Sequence, residues 1–140
     1  MAFTVRAATP ADTDAIIALW HEAGLTRPWN DPRKDLERHA AVSPELLLVA
    51  DDEGRVVGTV MAAYDGHRGW LYYLASAADR RGEGIGRALV IAAEGRLLAL
   101  GCPKVQLMVR PGNEGVFGFY DGLGYDRFEI GMTGKRLIPD

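Results

Sequence analysis

The sequence predicts an α/β layered domain in which about four helices pack on a mixed central sheet of six to seven strands. Three observations predict this class. Strand-like and helix-like segments follow one another along the chain, a helix joins the fourth and fifth strands, and 140 residues are enough for one hydrophobic core. Because no linker, repeat or low-complexity segment divides the chain, we expect a single domain over residues 1–140.

The strands are predicted from apolar alternation and from apolar runs bounded by turn residues. These segments are residues 3–7, 46–50, 56–64, 70–75, 104–109, 127–132 and 135–138. The sequence Asp-Asp-Glu-Gly at residues 51–54 lies between the second and third of them, which indicates an antiparallel hairpin.

The helices are predicted from apolar residues at helical spacing and from their start and stop residues. Pro10 and Pro32 mark the first turns of helices one and two. Helix three covers residues 84–100, where Gly101 ends it, and a short fourth helix carries Tyr120. Helix three forms a crossover from strand four to strand five, so these two strands should be parallel.

Composition and charge exclude several classes of protein. A net charge of -3 without a basic run gives no footprint for nucleic acid. The sequence shows no signal region and no apolar stretch of spanning length, so we expect a cytoplasmic protein with no membrane partner. Cys102 is the single cysteine, which argues against a disulfide and a metal cluster, and we expect it to be a small buried residue.

A glycine-rich segment, Arg-Gly-Glu-Gly-Ile-Gly-Arg at residues 81–87, lies between strand four and helix three. Glycine lets the backbone take unusual dihedrals and approach a ligand closely. The first amides of a helix lack intrahelical partners and point at an anion with the positive end of the helix dipole behind them. The segment therefore predicts a pyrophosphate cradle, and an ordinary tight turn before a helix is the alternative.

Spacing separates this loop from two other phosphate-binding loops. A P-loop has Lys and then Ser or Thr after its last glycine, whereas Arg87 and Ala88 follow Gly86. A dinucleotide-binding loop follows the first strand of its fold with G-x-G-x-x-G, whereas this loop follows the fourth strand. These differences argue against a nucleoside triphosphatase and against a dinucleotide-binding enzyme.

The pattern Arg81-x-x-Gly84-x-Gly86 resembles the pyrophosphate motif of the GNAT superfamily, the acetyl-CoA-dependent N-acetyltransferases. A second signature of that superfamily, N-x(6)-Y-x(3)-G-[FY], is matched by Asn113, Tyr120, Gly124 and Tyr125. Within the superfamily, three stretches resemble a bacterial branch called YpeA, namely residues 27–32, 64–69 and 134–138. The resemblance covers essentially the whole chain and implies an acyltransferase that uses acetyl-CoA.

The resemblance implies where acetyl-CoA binds. In that superfamily strands four and five splay apart, the pantetheine arm lies in the gap along strand four, and the pyrophosphate lies on the glycine loop. The residues carried over for cofactor binding are Leu74, Ala75, Ser76, Arg81, Gly82, Glu83, Gly84, Ile85, Gly86, Arg87 and Asn113. Sheet core is the better interpretation for the side chain of Leu74, and helix capping is the alternative for Asn113.

Acetyl transfer from a thioester to an amine needs a deprotonated amine, polarisation of the carbonyl, and a proton for the leaving thiolate. Tyr120 matches the superfamily tyrosine that supplies the proton, and a core aromatic is its alternative. The backbone amide of Leu74 is the expected partner of the carbonyl. The resemblance implies direct attack by a primary amine in a ternary complex.

A carboxylate base is missing from the expected positions. Where some members of the superfamily carry a glutamate on strand five, this chain has Met108, and residues 70–74 of strand four contain no acid. Three interpretations remain open: a water relayed by the backbone and Tyr72 or Tyr73, His67 as the base, or no base at all.

Two loops are expected at the acceptor pocket, one between the first two helices and one that leads into strand four. They contribute aromatic, cationic, acidic and amide side chains, namely Arg27, Trp29, Asn30, Asp31, Asp65, His67 and Arg68. Arginine clamps an anion bidentately while aspartate orients an ammonium group, so this mixture suits a small zwitterionic or peptide-terminal amine. The alternative is structural, with Asp31 as a helix cap, Asp65 in a turn and Trp29 in the core.

Two further hypotheses stay open. The missing base favours a non-catalytic acyl-CoA sensor, and the glycine loop alone would also fit another phosphate ligand such as ATP or NADH. The final strand and the tryptophan-containing loops suggest a homodimer.

Overall fold

The computed structural model describes residues 2–140 and divides the chain into two compact units. The first unit ends at Gln106 and the second begins at Leu107. The first unit contains β1 (Thr4–Ala7), α1 (Thr13–Glu22), α2 (Pro32–Val42), β2 (Leu47–Asp52), β3 (Arg55–Tyr64), β4 (Gly69–Ser76), α3 (Ile85–Ala99) and β5 (Val105–Gln106). The second unit contains one helix, α4 (Val116–Asp121).

The sheet of the first unit is mixed, with the strand order β1-β2-β3-β4-β5. The first three pairings are antiparallel, and β4 pairs with β5 in parallel, as the crossover predicts. This parallel pairing is short, because only Gly69↔Val105 and Trp70↔Gln106 take part. Residues 71–76 of β4 therefore extend beyond the β4–β5 ladder.

The strands β2 and β3 are joined by the predicted hairpin. Glu53 and Gly54 both have positive φ, 48° and 93°, which is the backbone of a type I′ turn. The carboxylate of Asp51 accepts a hydrogen bond of 2.7 Å from the Gly54 amide and braces the turn.

The helices α1 and α3 cover opposite faces of the sheet. On β3, the neighbouring residues Gly58 and Thr59 point to opposite sides, since side chains alternate along a strand. A Cβ on Gly58 would lie 2.5 Å from Ile85 of α3, whereas Thr59 bonds Trp20 of α1. With both faces covered, residues 47–50 of β2 form a continuous apolar run of buried residues.

The core of the first unit consists of large apolar side chains from both helical layers and from the sheet. The largest fully buried members include Trp20, Ile16, Leu46, Leu48, Leu89 and Leu97. Cys102 is also buried, as predicted. Within residues 2–140, none of the helices combines the length and the apolar character needed to cross a bilayer.

The predicted number of strands is wrong, because the sheet has five strands rather than six to seven. Residues 127–132 and 135–138 form no strand, and β5 is shorter than the predicted 104–109. Apolar alternation becomes a strand only where the backbone pairs with a neighbour, and the apolar side chains of these last segments, such as Ile130 and Leu137, are exposed. Gly131 and Gly134 further lower strand propensity there.

Candidate active site

Strand β4 contains a bulge beside Leu74, the residue whose amide is expected to meet the acetyl group. Its register with β3 moves from Thr59↔Ala75 to Met61↔Tyr72, so two residues of β4, Tyr73 and Leu74, face one residue of β3. Tyr73 has a φ of 54°, a left-handed conformation that costs a side chain roughly 1–2 kcal/mol. The bulge interrupts the ladder directly beside the Leu74 amide.

Buried partners hold Tyr73 in this conformation. Its ring stacks on the fully buried Trp20, with ring centroids 3.7 Å apart and an interplanar angle of 8°. The hydroxyl of Thr59 donates to the Tyr73 carbonyl at 2.9 Å, and the Trp20 indole N–H donates to the same hydroxyl at 3.0 Å. This chain of hydrogen bonds satisfies the buried polar groups and fixes the backbone of the bulge.

The Tyr73 hydroxyl meets a carboxylate that the sequence interpretation did not identify. It donates to Asp35 Oδ2 at 2.6 Å, and the side-chain amide of Asn30 donates both to this carboxylate and to the Tyr73 oxygen. Asp35 comes from the first turn of α2, whereas the resemblance implies a carboxylate on strand four or strand five. Of the predicted acceptor residues, Asn30 is the one in this cluster.

The predicted cradle occupies the connection from β4 to α3. Gly82 and Gly84 have φ angles of 81° and 79°, and Gly84 is the N-cap residue of α3. A Cβ at either glycine would meet no atom within 4 Å, so the backbone conformation, not crowding, calls for glycine and the loop borders open space. The first intrahelical bond runs from the Ala88 amide to Gly84, which leaves the amides before it for an anion.

Arg80 anchors this loop, and the sequence interpretation missed it. Its guanidinium bonds Glu83 and, at the end of β2, Asp52, with both N–O distances 2.7 Å. These partners raise the pKa of Arg80, and Arg80 lowers the pKa of Glu83. The Glu83 side chain is therefore tied to the protein, whereas Arg81 and Arg87 are exposed cations on either side of the loop.

The loop between α1 and α2 forms a tight turn with an exposed aromatic residue. Arg27 and Asn30 form an isolated antiparallel bridge, and the Arg27 guanidinium donates to the carbonyls of Gly24 and Thr26. Trp29 is 60% exposed, so the alternative that it belongs to the core is wrong. Asp31 caps α2 by accepting from the amides of residues 33 and 34.

The loop between β3 and β4 is organised by Asp65. One carboxylate oxygen accepts from the amides of His67 and Arg68 at 2.8 and 2.7 Å, and the other accepts from the Trp70 indole at 3.3 Å. These bonds, that of the Arg68 amide first, lower the pKa of Asp65. His67 is exposed and Arg68 is half-buried, and the Arg68 guanidinium donates to the His67 carbonyl.

In the second unit, Tyr120 lies near the end of α4 and is buried. Its ring contacts those of Phe119 and Tyr125, with centroids 5.0 and 5.3 Å away, and its carbonyl accepts from the Tyr125 amide after a turn at Gly124. Burial raises the pKa of Tyr120 to about 12, so the phenol keeps its proton at neutral pH.

The two other predicted positions of the second unit are exposed. Asn113 precedes α4, and Gly115 rather than Asn113 is the N-cap residue, so the helix-capping alternative does not hold for Asn113. Met108 is 46% exposed.

Comparison with known proteins identifies the family. The model of the acetyltransferase (GNAT) family matches residues 15–125. An acetyltransferase of Pectobacterium atrosepticum is 50% identical over 129 residues, which cover 92% of each chain. An acetyltransferase of Yersinia enterocolitica is 47% identical over 136 residues, which cover 97% of this chain and 96% of the relative.

Solved structures of low sequence identity share the fold. Ard1 from Thermoplasma volcanium superposes with a TM-score of 0.81 at 23% identity, covering 92% of this chain and 86% of that one. The aminoglycoside N-acetyltransferase AAC(6′)-Iy, solved in complex with CoA, gives a TM-score of 0.79 at 16% identity, covering 97% and 95%. The chain therefore belongs to the GNAT family of acetyltransferases, and it is an acyltransferase whose co-substrate is acetyl-CoA.

Proposed function

We propose that the chain moves the acetyl group of acetyl-CoA to a primary amine of a small molecule or a peptide, by direct attack in a ternary complex. The observation that carries the proposal is the bulged β4 followed by a glycine loop at the N-terminus of the 15-residue helix α3. These are the features that a thioester arm and a pyrophosphate require: backbone groups outside the sheet ladder and helix amides that face open space.

The residues of the first unit fit acetyl-CoA. The amides of residues 82–87 would hold the pyrophosphate, and Arg81 and Arg87 add positive charge beside it. Glu83 would act through its amide, because Arg80 holds its carboxylate. Leu74, Ala75 and Ser76 would bond the pantetheine arm through their backbone, with the Leu74 amide on the acetyl carbonyl. Asn113 of the second unit stays a proposed cofactor-binding residue.

Tyr120 would give a proton to the departing thiolate. Its buried phenol with a pKa of about 12 stays protonated over the whole physiological range, which a proton donor requires. The interpretation of Tyr120 as a core aromatic only is tested by Tyr120→Phe, which keeps the ring contacts and removes the proton.

The acceptor would bind at the two loops that precede α2 and β4. The exposed Trp29 and His67 and the half-buried Arg68 would offer an aromatic face and hydrogen-bond donors to the amine substrate. Arg27, Asn30, Asp31 and Asp65 would shape these loops, since each already bonds protein groups. A small zwitterionic or peptide-terminal amine remains the proposed class of acceptor.

The first test is the thermal midpoint with acetyl-CoA, desulfo-CoA, ATP and NADH, each in excess. A ligand at about 100 times its dissociation constant stabilises the native state by about 2.7 kcal/mol, a shift of several degrees for a chain of this size. We expect shifts with the two CoA compounds alone. A shift with ATP or NADH of the same size, or none with CoA, would contradict the proposed cradle.

A second test separates an enzyme from an acyl-CoA sensor. We expect Tyr120→Phe to lose about 100-fold or more of the acetyl-transfer rate while its dissociation constant for acetyl-CoA stays within a factor of about three. Unchanged turnover would remove Tyr120 from the proposed mechanism.

Four further proposals concern the branch of the family, the domain organisation, the cellular location and the oligomeric state. We propose that the chain belongs to the YpeA-like branch, on the strength of residues 27–32, 64–69 and 134–138. We also propose one catalytic domain over residues 1–140, a cytoplasmic location and a homodimer, for which the exposed Trp29 is the support because the predicted final strand does not form. Light scattering at several concentrations tests the last of these.

A further inference from the structure

The reaction needs a proton acceptor for the amine, and the positions expected for it hold none. Met108 stands at the strand-five position, and β4 has no acidic residue. His67, the imidazole named as an alternative, lies on an exposed loop, with its amide bonded to Asp65. A carboxylate that takes part in the proton transfer must therefore come from elsewhere in the fold.

The fold brings one carboxylate to β4 from α2. Asp35 accepts the proton of the Tyr73 hydroxyl at 2.6 Å, although the two residues are 38 positions apart. Asn30 donates to the same carboxylate and to the Tyr73 oxygen, so both groups are held by a common amide. A phenol hydroxyl both donates and accepts hydrogen bonds, which lets it receive a proton while it passes its own to a carboxylate.

The backbone points to a role beyond packing. Tyr73 sits in a left-handed conformation inside a strand, and the Trp20 ring and the Thr59 hydroxyl hold it there. Strain of this kind persists where the surroundings over-determine the residue, and it concentrates at functional sites. Tyr73 also immediately precedes Leu74, whose amide is the proposed partner of the acetyl carbonyl.

We propose that Tyr73 and Asp35 form the proton-accepting pair of the acetyl transfer. This inference rests on the proposed function. The amine nitrogen attacks the thioester carbon, so the C–N bond forms and the C–S bond breaks. One proton of the nitrogen passes to the Tyr73 oxygen while the phenol proton passes to Asp35, and CoA departs as the thiolate. Tyr73 contacts the substrate, whereas Asp35 acts through Tyr73.

The test uses steady-state kinetics of the full chain on a panel of primary amines: glycinamide, lysine, glucosamine 6-phosphate and an octapeptide with a free N-terminus. The best acceptor of the panel is then used with Tyr73→Phe, which keeps the ring on Trp20, and with Asp35→Asn, which keeps an oxygen for the Tyr73 and Asn30 donors. We expect kcat to fall about 100-fold or more in each variant, with KM for the amine changed by less than about threefold.

The double variant sharpens the test. Because the two groups act as one unit, the double variant should lose no more than the larger single loss. Matched controls are Tyr64→Phe at the end of β3 and Glu37→Gln on the exposed side of α2, both of which should keep wild-type kcat. The thermal midpoint and the acetyl-CoA affinity show whether each variant is folded. If Asp35→Asn does not fold, the kcat of Tyr73→Phe alone decides whether proton transfer passes through the pair.

Three results would overturn the inference. A kcat within about threefold of wild type in either folded variant would show that proton transfer does not pass through the pair. A raised KM with unchanged kcat would make the pair a binding element. An unaltered chain that acetylates no amine of the panel would overturn the proposed function together with this inference, whereas an active chain with an unaffected Tyr73→Phe contradicts the pair alone.

Discussion

Tyr73 contacts both the buried core and the residues of the proposed proton transfer. Its strained backbone is held by Trp20 and Thr59 on the core side, and its hydroxyl reaches Asp35 and Asn30. The strain of roughly 1–2 kcal/mol is offset only while these buried partners stay in place. The stability of this cluster and the geometry of the bulge should therefore change together.

The substitution Thr59→Val tests this connection. Valine keeps the shape of threonine but leaves the Trp20 indole N–H without an acceptor and releases the Tyr73 carbonyl. We expect the free energy of unfolding to fall by about 1–3 kcal/mol in urea denaturation, because a buried donor is left unpaired. Thr59→Ser, which keeps the hydroxyl, is the matched control and should lose less; equal stability of Thr59→Val and wild type would contradict the account.

The sequence predicted some residues of the candidate site and missed others. Asn30 was predicted from its loop, and Gly84 from the glycine pattern. Asp35 and Arg80 could not be predicted, because their partners on β4 and β2 lie 38 and 28 positions away and become neighbours only in the folded sheet. The pattern of α2 marks Asp35 as an ordinary acid in a first helical turn.

At the scale of elements, two glycines set how closely α3 lies on the sheet. A Cβ at Gly58 would approach Ile85 and Leu89 to 2.5 and 2.9 Å, and a Cβ at Gly69 would approach Cys102 to 2.8 Å. The start of α3 therefore packs directly on the backbone of β3, and the end of α3 with Cys102 packs directly on the backbone of β4. This contact fixes the helix whose N-terminus forms the proposed cradle.

Gly58→Ala should move the start of α3 away from β3. We expect a loss of about 1–3 kcal/mol in unfolding free energy, as for other overpacked cores, and a weaker affinity for acetyl-CoA. Calorimetric titration with acetyl-CoA measures the second effect. Unchanged stability and unchanged affinity would show that α3 does not need this close approach.

The glycine loop at residues 81–87 is tested by comparing the acetyl-CoA affinity of Gly84→Ala with that of Gly95→Ala. Gly84 has a φ of 79°, so alanine there costs roughly 1–2 kcal/mol and turns the loop amides, which should weaken acetyl-CoA binding by about tenfold or more. Gly95 lies inside α3 with open space around it, so alanine there should stabilise the helix by about 0.5–1 kcal/mol without changing affinity. Equal affinities of the two variants would contradict the cradle.

Helices and strands were predicted correctly where the signal lies within a single segment of the sequence. Helices one to three follow from apolar spacing and from their start and stop residues, the fourth follows from the resemblance, and the β2–β3 hairpin follows from its turn residues. The segments at 127–132 and 135–138 have the same alternation as a strand, yet a strand also needs a partner, which alternation does not supply.

For the molecule as a whole, acid stability depends on a cluster that joins β1 to its neighbours. Arg6 binds Asp12 through two bonds of 2.8 and 2.9 Å and Asp51 through one of 2.9 Å. The Arg6 hydrogen bond is the largest cause that lowers the pKa of Asp12 from 3.8 to about 2. A depressed pKa contributes stability above pH 3.8, and this contribution is lost as the pH falls through about 2.

We expect Asp12→Asn to lose about 2 kcal/mol of unfolding free energy at pH 7. The difference from wild type should shrink between pH 4 and pH 2 and vanish below it, because wild-type Asp12 is then protonated as well. Urea denaturation of both proteins across this range measures the difference. A gap that stays constant down to pH 2 would show that Asp12 does not stabilise the fold through its charge.

The central claim is that this chain transfers acetyl directly from acetyl-CoA to an amine. The most direct measurement mixes the protein with isotopically labelled acetyl-CoA, with and without the amine panel, and follows CoA thiol, acetylated amine and label on the protein by mass spectrometry. We predict one acetylated amine for each CoA released, release that depends on the amine, and no acetyl group on the chain. Label retained covalently on the protein, or CoA release without an acetylated amine, would contradict the account.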